Sequence, residues 1–352
     1  MNFTYSANPA RVLFGRGTTA KAAEELDHLG VKRALVLTTP QQRASGEAVA
    51  EALGAAAVGL FDGATMHTPV DVTEKAMAVY AETKAEAVVS IGGGSTIGLG
   101  KAIALRTDCT QLAIPTSYAG SEMTPIIGQT EAGRKVTQRI AKVLPETVIY
   151  DVDHTIGLPP ALSVTSGMNA VAHAVEALYS EGANPVLSLM AEEGTARMIN
   201  ALPAVIADPA DPSNREEALL GAWLCAVCLG TGGIALHHKL AHVLGGSFDL
   251  PHAETHTAIL PHALAYNAPA VPDAMAALAR ATGSDDPAGH LYDVPHKAGA
   301  TMALCDLGMP EDGIERAVRI TLETPYPNPR DFDADALRGM LRRAWAGDRP
   351  RV

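Results

Sequence analysis

Five residues in two apolar segments carry the chemistry this sequence can offer. Asn169 and His173 stand four apart in SGMNAVAHAVEALYS (Ser166–Ser180), and His238 and His242 stand four apart in the stretch that opens at Gly232. A spacing of four puts two side chains on one face of a helix. His252 follows Gly245-Gly246, read as a turn, and Pro251, close enough in sequence to fold back toward that face. A lone histidine on an apolar helix is usually a hydrogen-bonded core or surface residue. Several at helical spacing in two neighbouring apolar segments point instead to a shared polar site. Imidazoles there can hold carboxylates or a developing oxyanion, donate a proton, or ligate a metal. His237, His256 and His262 are expected to be ordinary core or surface histidines, and His290 and His296 to lie on loop or helix surface.

A second segment could bind a nucleotide. Ala87–Ile91 (AVVSI) reads as a fully apolar strand and runs straight into Gly92-Gly93-Gly94-Ser95, with helical spacing from Thr96 to Leu105. Glycines let the backbone approach a pyrophosphate, and a helix N-terminus offers free N–H groups and a favourable dipole. A plain tight turn is the competing reading, and the GxGxxG fingerprint of the first βαβ unit is absent. The loop Ile114–Glu122 (IPTSYAGSE) is rich in hydroxyls and follows the next strand. The first strand ends at Leu37-Thr38-Thr39-Pro40 with Arg43 nearby, without the acid that would bond the adenosine ribose and repel a 2′-phosphate. Acceptance of both NADH and NADPH is therefore expected, with Thr38 and Thr39 at the cofactor.

The elements that must position these residues alternate over residues 30–150. Strands are expected at Arg33–Thr38, Ala56–Phe61, Ala87–Ile91, Gln111–Pro115 and Val148–Tyr150, with helices at Arg43–Leu53, Val70–Thr83 and Thr96–Leu105. Such alternation implies a parallel sheet with helices on both faces and ligands beyond the strands' carboxyl ends. After about Asp153 only helices are expected: Leu162–Glu181, Pro185–Val205, Arg215–Leu229, Leu236–Val243, Thr255–Tyr266, Pro272–Ala281, Tyr292–Leu307, Glu311–Glu323 and a last one from Ala334. The fold class is an α/β, Rossmann-like nucleotide-binding domain over residues 1–154, then an all-α domain over 155–352 carrying the histidine site.

Composition excludes several function classes. Hydrophobic residues make up 47% and charged residues 19%, a core-forming mixture rather than a disordered one. The net charge of −12 and the lack of a basic run argue against nucleic acid, and an anionic ligand would need a local cationic pocket. No apolar run reaches the ~20 residues that cross a bilayer. No signal peptide is read, and the reading is a cytoplasmic protein with no membrane partner. Of the four cysteines, Cys225 and Cys228 form a CxxC inside an apolar helical run and read as two buried thiols.

SIGGGSTIGLGKAIA, IPTSYAGSEMT, Leu158-Pro159 before SGMNAVAHAVEALYS, and HHKLAHVLGG…PHAETHTAILPHALAYN together resemble the iron-containing alcohol dehydrogenase superfamily over nearly the whole length. More narrowly, IPTSYAGSEMT, KVLPETVIYD and Asn169, where metal-dependent relatives have Asp, resemble its maleylacetate reductase branch. The resemblance implies an architecture shared with dehydroquinate synthase and a homodimer. It implies reduction of maleylacetate, a small dicarboxylate oxo-acid, to 3-oxoadipate by NADH or NADPH, in bacterial breakdown of resorcinol-type or chlorinated aromatics. Gly93, Gly94 and Ser95 would hold the pyrophosphate, and Thr116, Ser117 and Leu158 the nicotinamide half. His173, His238 and His252 take the former metal-ligand positions, and His242 falls beside the nicotinamide. Gly98 stands where relatives often have Asp.

Three histidines plus a carboxylate suit Zn²⁺ or Fe²⁺, whereas an Asn carbonyl is a poor ligand, so no metal is expected. The chemistry fits. A conjugated carbon–carbon double bond accepts hydride without a Lewis acid, and histidines can stabilise the enolate. His242 or His252 is the expected proton donor, and His173 and His238 the expected carboxylate or oxyanion binders. Asn169 and either Ser117 or Tyr118 are further substrate contacts. The competing readings are a metal-dependent alcohol or polyol dehydrogenase, a metal-dependent lyase, and a nucleotide-binding protein without catalysis.

Overall fold

Alternating apolar strands and helices build the first part of the chain. The computed structural model describes residues 3, 5–8, 10–131 and 134–351. Residues 7–158 form one compact unit, and the chain from Pro159 onward forms the other.

In the first unit, β1 (Arg11–Phe14), β2 (Ala34–Leu37), β3 (Ala57–Phe61), β4 (Ala87–Gly92), β5 (Thr110–Pro115) and β8 (Thr147–Tyr150) form a six-stranded sheet of order β1-β8-β5-β4-β2-β3. Every pairing in it is parallel. Helices α1 (Ala22–His28), α2 (Arg43–Leu53), α3 (Val70–Glu82) and α4 (Gly94–Thr107) cover it. Alternate strand residues take opposite faces. Val36, Val89, Ile91 and Leu112 pack with Leu26, Val49 and Leu53 on one face, while Leu35, Leu37 and Val88 pack with Ala76, Leu99 and Ile103 on the other. Both faces being covered explains why β2 is apolar throughout and β4 is apolar but for Ser90.

The strand order reverses between β2 and β4, which are hydrogen-bonded neighbours with Leu37 opposite Ser90. Thr38-Thr39 and Gly93-Gly94-Ser95 thus leave adjacent strand ends at the switch point, where ligands of open α/β sheets bind. The sequence reading missed α1, the edge strand β1 and an antiparallel hairpin of β6 (Ile126–Glu131) and β7 (Arg134–Arg139).

The second unit is helical: α5 (Pro160–Ala177), α6 (Pro185–Ala207), α7 (Pro212–Thr231), α8 (Leu236–Phe248), α9 (His252–Asn267), α10 (Pro272–Thr282), α11 (Pro287–Lys297), α12 (Gly313–Glu323) and α13 (Ala334–Ala346). Leu236, Leu240 and Leu244 of α8 form one stripe and pack with Ile259 of α9, Val318 of α12 and Leu337 and Leu341 of α13. That packing fixes the roll of α8 and so the direction of its histidines.

Two expectations change. The helix expected over Tyr292–Leu307 stops at Lys297. Gly299 is left-handed at φ 82°, its N–H donates to the His296 carbonyl, and the Ala300 N–H donates to that of Pro295, which is a Schellman stop. Conversely α8 runs through Gly245-Gly246, expected to be a turn, and ends at Asp249, left-handed at φ 54°. Asp tolerates that conformation, and its side chain is short enough to let the chain reverse into Pro251 and α9. Cys225 and Cys228 are buried in α7, as expected. No single helix among the described residues is long and apolar enough to cross a membrane.

Candidate active site

In the α/β unit, α4 begins at Gly94, two residues before the position read from sequence, with Gly93 as its N-cap. The first-turn N–H groups of Gly94 and Ser95 therefore have no partner one turn back and face outward as anion donors. The backbone here needs glycine. Gly92 sits at φ 153°, and a Cβ on Gly93 would stand 3.1 Å from Ser117 Oγ, filling the cradle. Gly98 is explained as well: a Cβ there would meet Thr68 Oγ1 at 2.5 Å, so an Asp at this position would require Thr68 to shift. This arrangement fits a dinucleotide pyrophosphate.

Thr38 is buried, with its hydroxyl donating to the Gln42 carbonyl at 3.3 Å, and Thr39 is half-buried at the strand end. Gln42 Nε2 donates to Thr116 Oγ1 at 2.8 Å and so ties the end of β2 to the hydroxyl-rich loop after β5. That loop is braced from α4. Lys101, fully buried, donates from Nζ to the carbonyls of Ser121, Thr124 and Ile126 and to Thr124 Oγ1 at 2.5–3.0 Å. Burial holds its pKa down to about 7 against the charge of Glu122. Ser117 and Leu158 are half-buried, whereas the Tyr118 side chain is fully buried.

In the helical unit the histidines form one connected cluster. Asn169, His173 and Glu176 lie at i, i+4 and i+7 on α5, one stripe of the helix. The His173 and His238 rings stack at 5.2 Å and 23°. His242 lies 6.1 Å from His238, His256 lies 5.1 Å from it, and His252 lies 4.4 Å from His256. The expected set of His173, His238, His242 and His252 is thus brought together, with Asn169 one turn along α5 from His173.

Two histidines read as ordinary also belong to it. His237 Nε2 and His256 Nδ1 share a hydrogen bond of 2.8 Å in full burial. Burial first, then neighbouring imidazoles, drives His173, His237 and His256 well below the usual histidine range, so all three are neutral near pH 7. The sequence signal for His256 is its spacing of four from His252, the same as 238/242; His237 has no such signal.

Glu176 is the other residue the sequence did not mark. Its carboxylate, with no exposed surface, accepts the Ala235 N–H at 2.7 Å, the His237 N–H at 2.6 Å and His238 Nδ1 at 2.6 Å. It therefore caps α8 from a neighbouring helix, where negative charge complements the dipole. It also fixes the proton of His238 on Nδ1, leaving Nε2 as the open nitrogen. His242 and His252 are exposed, and His242 Nδ1 pairs with the Tyr326 hydroxyl at 3.1 Å.

The buried polar atoms without a hydrogen-bond partner include Asn169 Oδ1, His173 Nδ1, His238 Nε2 and His256 Nε2. Such atoms are rare in folded proteins and mark a place a ligand completes. The donor set does not suit a transition metal. Its oxygen is a neutral amide carbonyl, its two central imidazoles stack face to face, and among the described residues no three His, Cys, Asp or Glu side chains stand at metal-holding distance.

Residues 9–152 match the iron-containing alcohol dehydrogenase family, and residues 163–345 match the C-terminal region of the Fe-containing alcohol dehydrogenase family. Maleylacetate reductase of Sphingobium indicum is 52% identical over 347 residues, 99% of this chain and 98% of that protein. Maleylacetate reductase of a Rhizobium species is 52% identical over 348 residues, 99% of each chain. The crystal structure of maleylacetate reductase from Agrobacterium tumefaciens superposes with a TM-score of 0.96 at 52% identity, covering 99% of this chain and 100% of that one.

Proposed function

The chain belongs to the iron-containing alcohol dehydrogenase family, and within it we propose that it reduces the carbon–carbon double bond of maleylacetate to give 3-oxoadipate, with NADH or NADPH and without a metal. The observation that carries this reading is Asn169: a neutral amide with an unpartnered oxygen beside a cluster of neutral imidazoles. Such a site can bind and protonate an anionic substrate, and the Glu176 carboxylate is already taken by His238 and two backbone N–H groups. The maleylacetate reductases that match this chain along its whole length supply the substrate.

NADH or NADPH, when bound at Gly93, Gly94, Ser95, Thr116, Ser117 and Leu158, supplies a hydride. The alkene carbon β to the ketone gains that hydride with its electron pair. The alkene π pair moves toward the ketone, which becomes an enolate. Histidine N–H groups stabilise the developing oxyanion. Neutral His173, with Nδ1 unpartnered, suits that role and the binding of carboxylate, whereas His238, expected to share it, has its proton held on Nδ1 by Glu176 and presents Nε2 as an acceptor. His242 or His252, both exposed and able to exchange protons with water, delivers the proton to the adjacent carbon and completes the saturated product. Asn169 and Ser117 are the remaining substrate contacts; Tyr118, the alternative to Ser117, has no exposed surface to offer. A cytoplasmic homodimer accompanies this reading on family grounds.

The test is NADH oxidation with maleylacetate by protein stripped with a strong chelator and checked for residual metal. Undiminished turnover is expected. Activity lost on stripping and regained with Zn²⁺ or Fe²⁺ would return the metal-dependent alcohol dehydrogenase mechanism to the front.

A further inference from the structure

Lys239 lies between His238 and His242 on α8 and is 5% exposed. Its ammonium donates to Thr324 Oγ1 at 2.7 Å and stands 5.3 Å from the centre of the Tyr326 ring. No carboxylate lies within ion-pair distance of it among the described residues, and two of its three donor positions meet no protein acceptor there. A buried ammonium without a counter-ion is costly, and side chains of this type are almost never buried unless paired. Lys239 and His242 are three apart and share a face of α8. Tyr326 joins them: its hydroxyl pairs with His242 Nδ1, and its ring lies beneath the ammonium. The cation therefore borders the histidine cluster.

We propose that the substrate supplies the missing counter-ion, with Lys239 Nζ binding one carboxylate of the dicarboxylate and setting the preference for an anionic oxo-acid. The proposal rests on the maleylacetate reading given above. It also meets a need of the whole chain: with a net charge of −12, a dianion requires a local cation to enter and stay. When the site is empty, the ammonium rests on Thr324 Oγ1 and over the Tyr326 ring, contacts a bound carboxylate can replace. The competing role is a latch, in which Lys239 serves only to fasten the segment after α12 through Thr324.

Steady-state kinetics of K239Q, K239R and T324V separate the two roles. Loss of a hydrogen-bonded charge should raise KM for maleylacetate in K239Q by ~10–100-fold. KM for NADH and the thermal midpoint should stay near wild type, and K239R should recover most of the loss. T324V keeps the charge and should leave KM for maleylacetate within about twofold. An unchanged KM in K239Q, or a T324V variant that reproduces its defect, would overturn the proposal in favour of the latch. If K239Q does not fold, T324V decides alone: an unchanged or lower KM supports the anchor, and a large rise refutes it. If the wild type does not turn over maleylacetate, the functional reading fails by itself. Calorimetric binding of 3-oxoadipate to wild type and K239Q then still decides the carboxylate site, equal affinities overturning it.

Discussion

Glu176 and His238 lie 62 residues apart in sequence and share a 2.6 Å hydrogen bond in full burial, and the same carboxylate holds the two backbone N–H groups at the start of α8. One side chain on α5 thus sets both the entry of α8 and the tautomer of a site histidine. Glu176→Gln keeps the shape but puts an NH₂ where an acceptor is needed, so at least one buried N–H loses its partner. Equilibrium denaturation should show a loss of ~1–3 kcal/mol, and turnover should fall with it. A variant as stable and as active as wild type would show that the carboxylate does not control the histidine.

His238→Ala removes the ring that stacks on His173 and takes the Glu176 hydrogen bond, and His242→Ala removes a candidate proton donor. Each is expected to lose ~10²–10⁴-fold in kcat while KM for NADH stays near wild type. Near-normal turnover in both would remove the histidine cluster from the mechanism.

Asn169→Asp places a carboxylate one turn of α5 from His173, whose ring stacks on His238. Zinc affinity, measured by competition with a chromophoric chelator, should rise by more than the ~10–100-fold that even an outer-shell partner contributes. Maleylacetate reduction should fall, because the new charge repels a dianion. If zinc binding does not change, Asn169 is not what separates this site from the metal-dependent ones.

The strand end after β2 tests cofactor choice. Arg43 is held by Glu47 at 2.8 Å and Asp62 at 2.7 Å, both exposed pairs that a ligand phosphate can displace at small cost. No acid occupies the ribose position, so kcat/KM with NADPH should lie within ~10²-fold of that with NADH, the range one charge contact spans. A larger gap would mean that the two carboxylates keep Arg43 from the 2′-phosphate.

Much of this was legible in the sequence, and what was not has a physical reason. Helix Arg43–Leu53 and strand Ala87–Ile91 show their periods plainly, because one face or both are buried against the sheet. The hairpin Ile126–Arg139 has two adjacent isoleucines at the start of β6 and a single valine in β7, so neither strand alternates and the pattern gives no signal. His173, His238, His242 and His252 were readable from spacing. Glu176 was not, because a glutamate in an apolar helix reveals its role only through partners 59–62 residues away. His237 has no histidine at helical spacing and shows its place only once α8 and α9 pack together, whereas His256 stands four residues from His252. Lys239 followed the same logic: its meaning lies in the carboxylate it lacks.

Acid sensitivity follows from His262 on α9. It is 1% exposed, neither ring nitrogen has a partner, and burial, then the nearby charge of Arg343, lowers its pKa from 6.5 to about 4. The unfolded chain therefore binds a proton there at a higher pH than the folded one does. Stability from this residue is fully present above pH 6.5 and is lost as pH falls from 6.5 toward 4. The whole loss is on the order of 3 kcal/mol, at ~1.4 kcal/mol per unit. Urea denaturation of wild type should show stability falling across that window, and His262→Gln, starting less stable at pH 7.5, should fall less steeply by about that increment. Equal slopes for the two proteins would mean that His262 takes up its proton without unfolding, through a partner that forms only in acid.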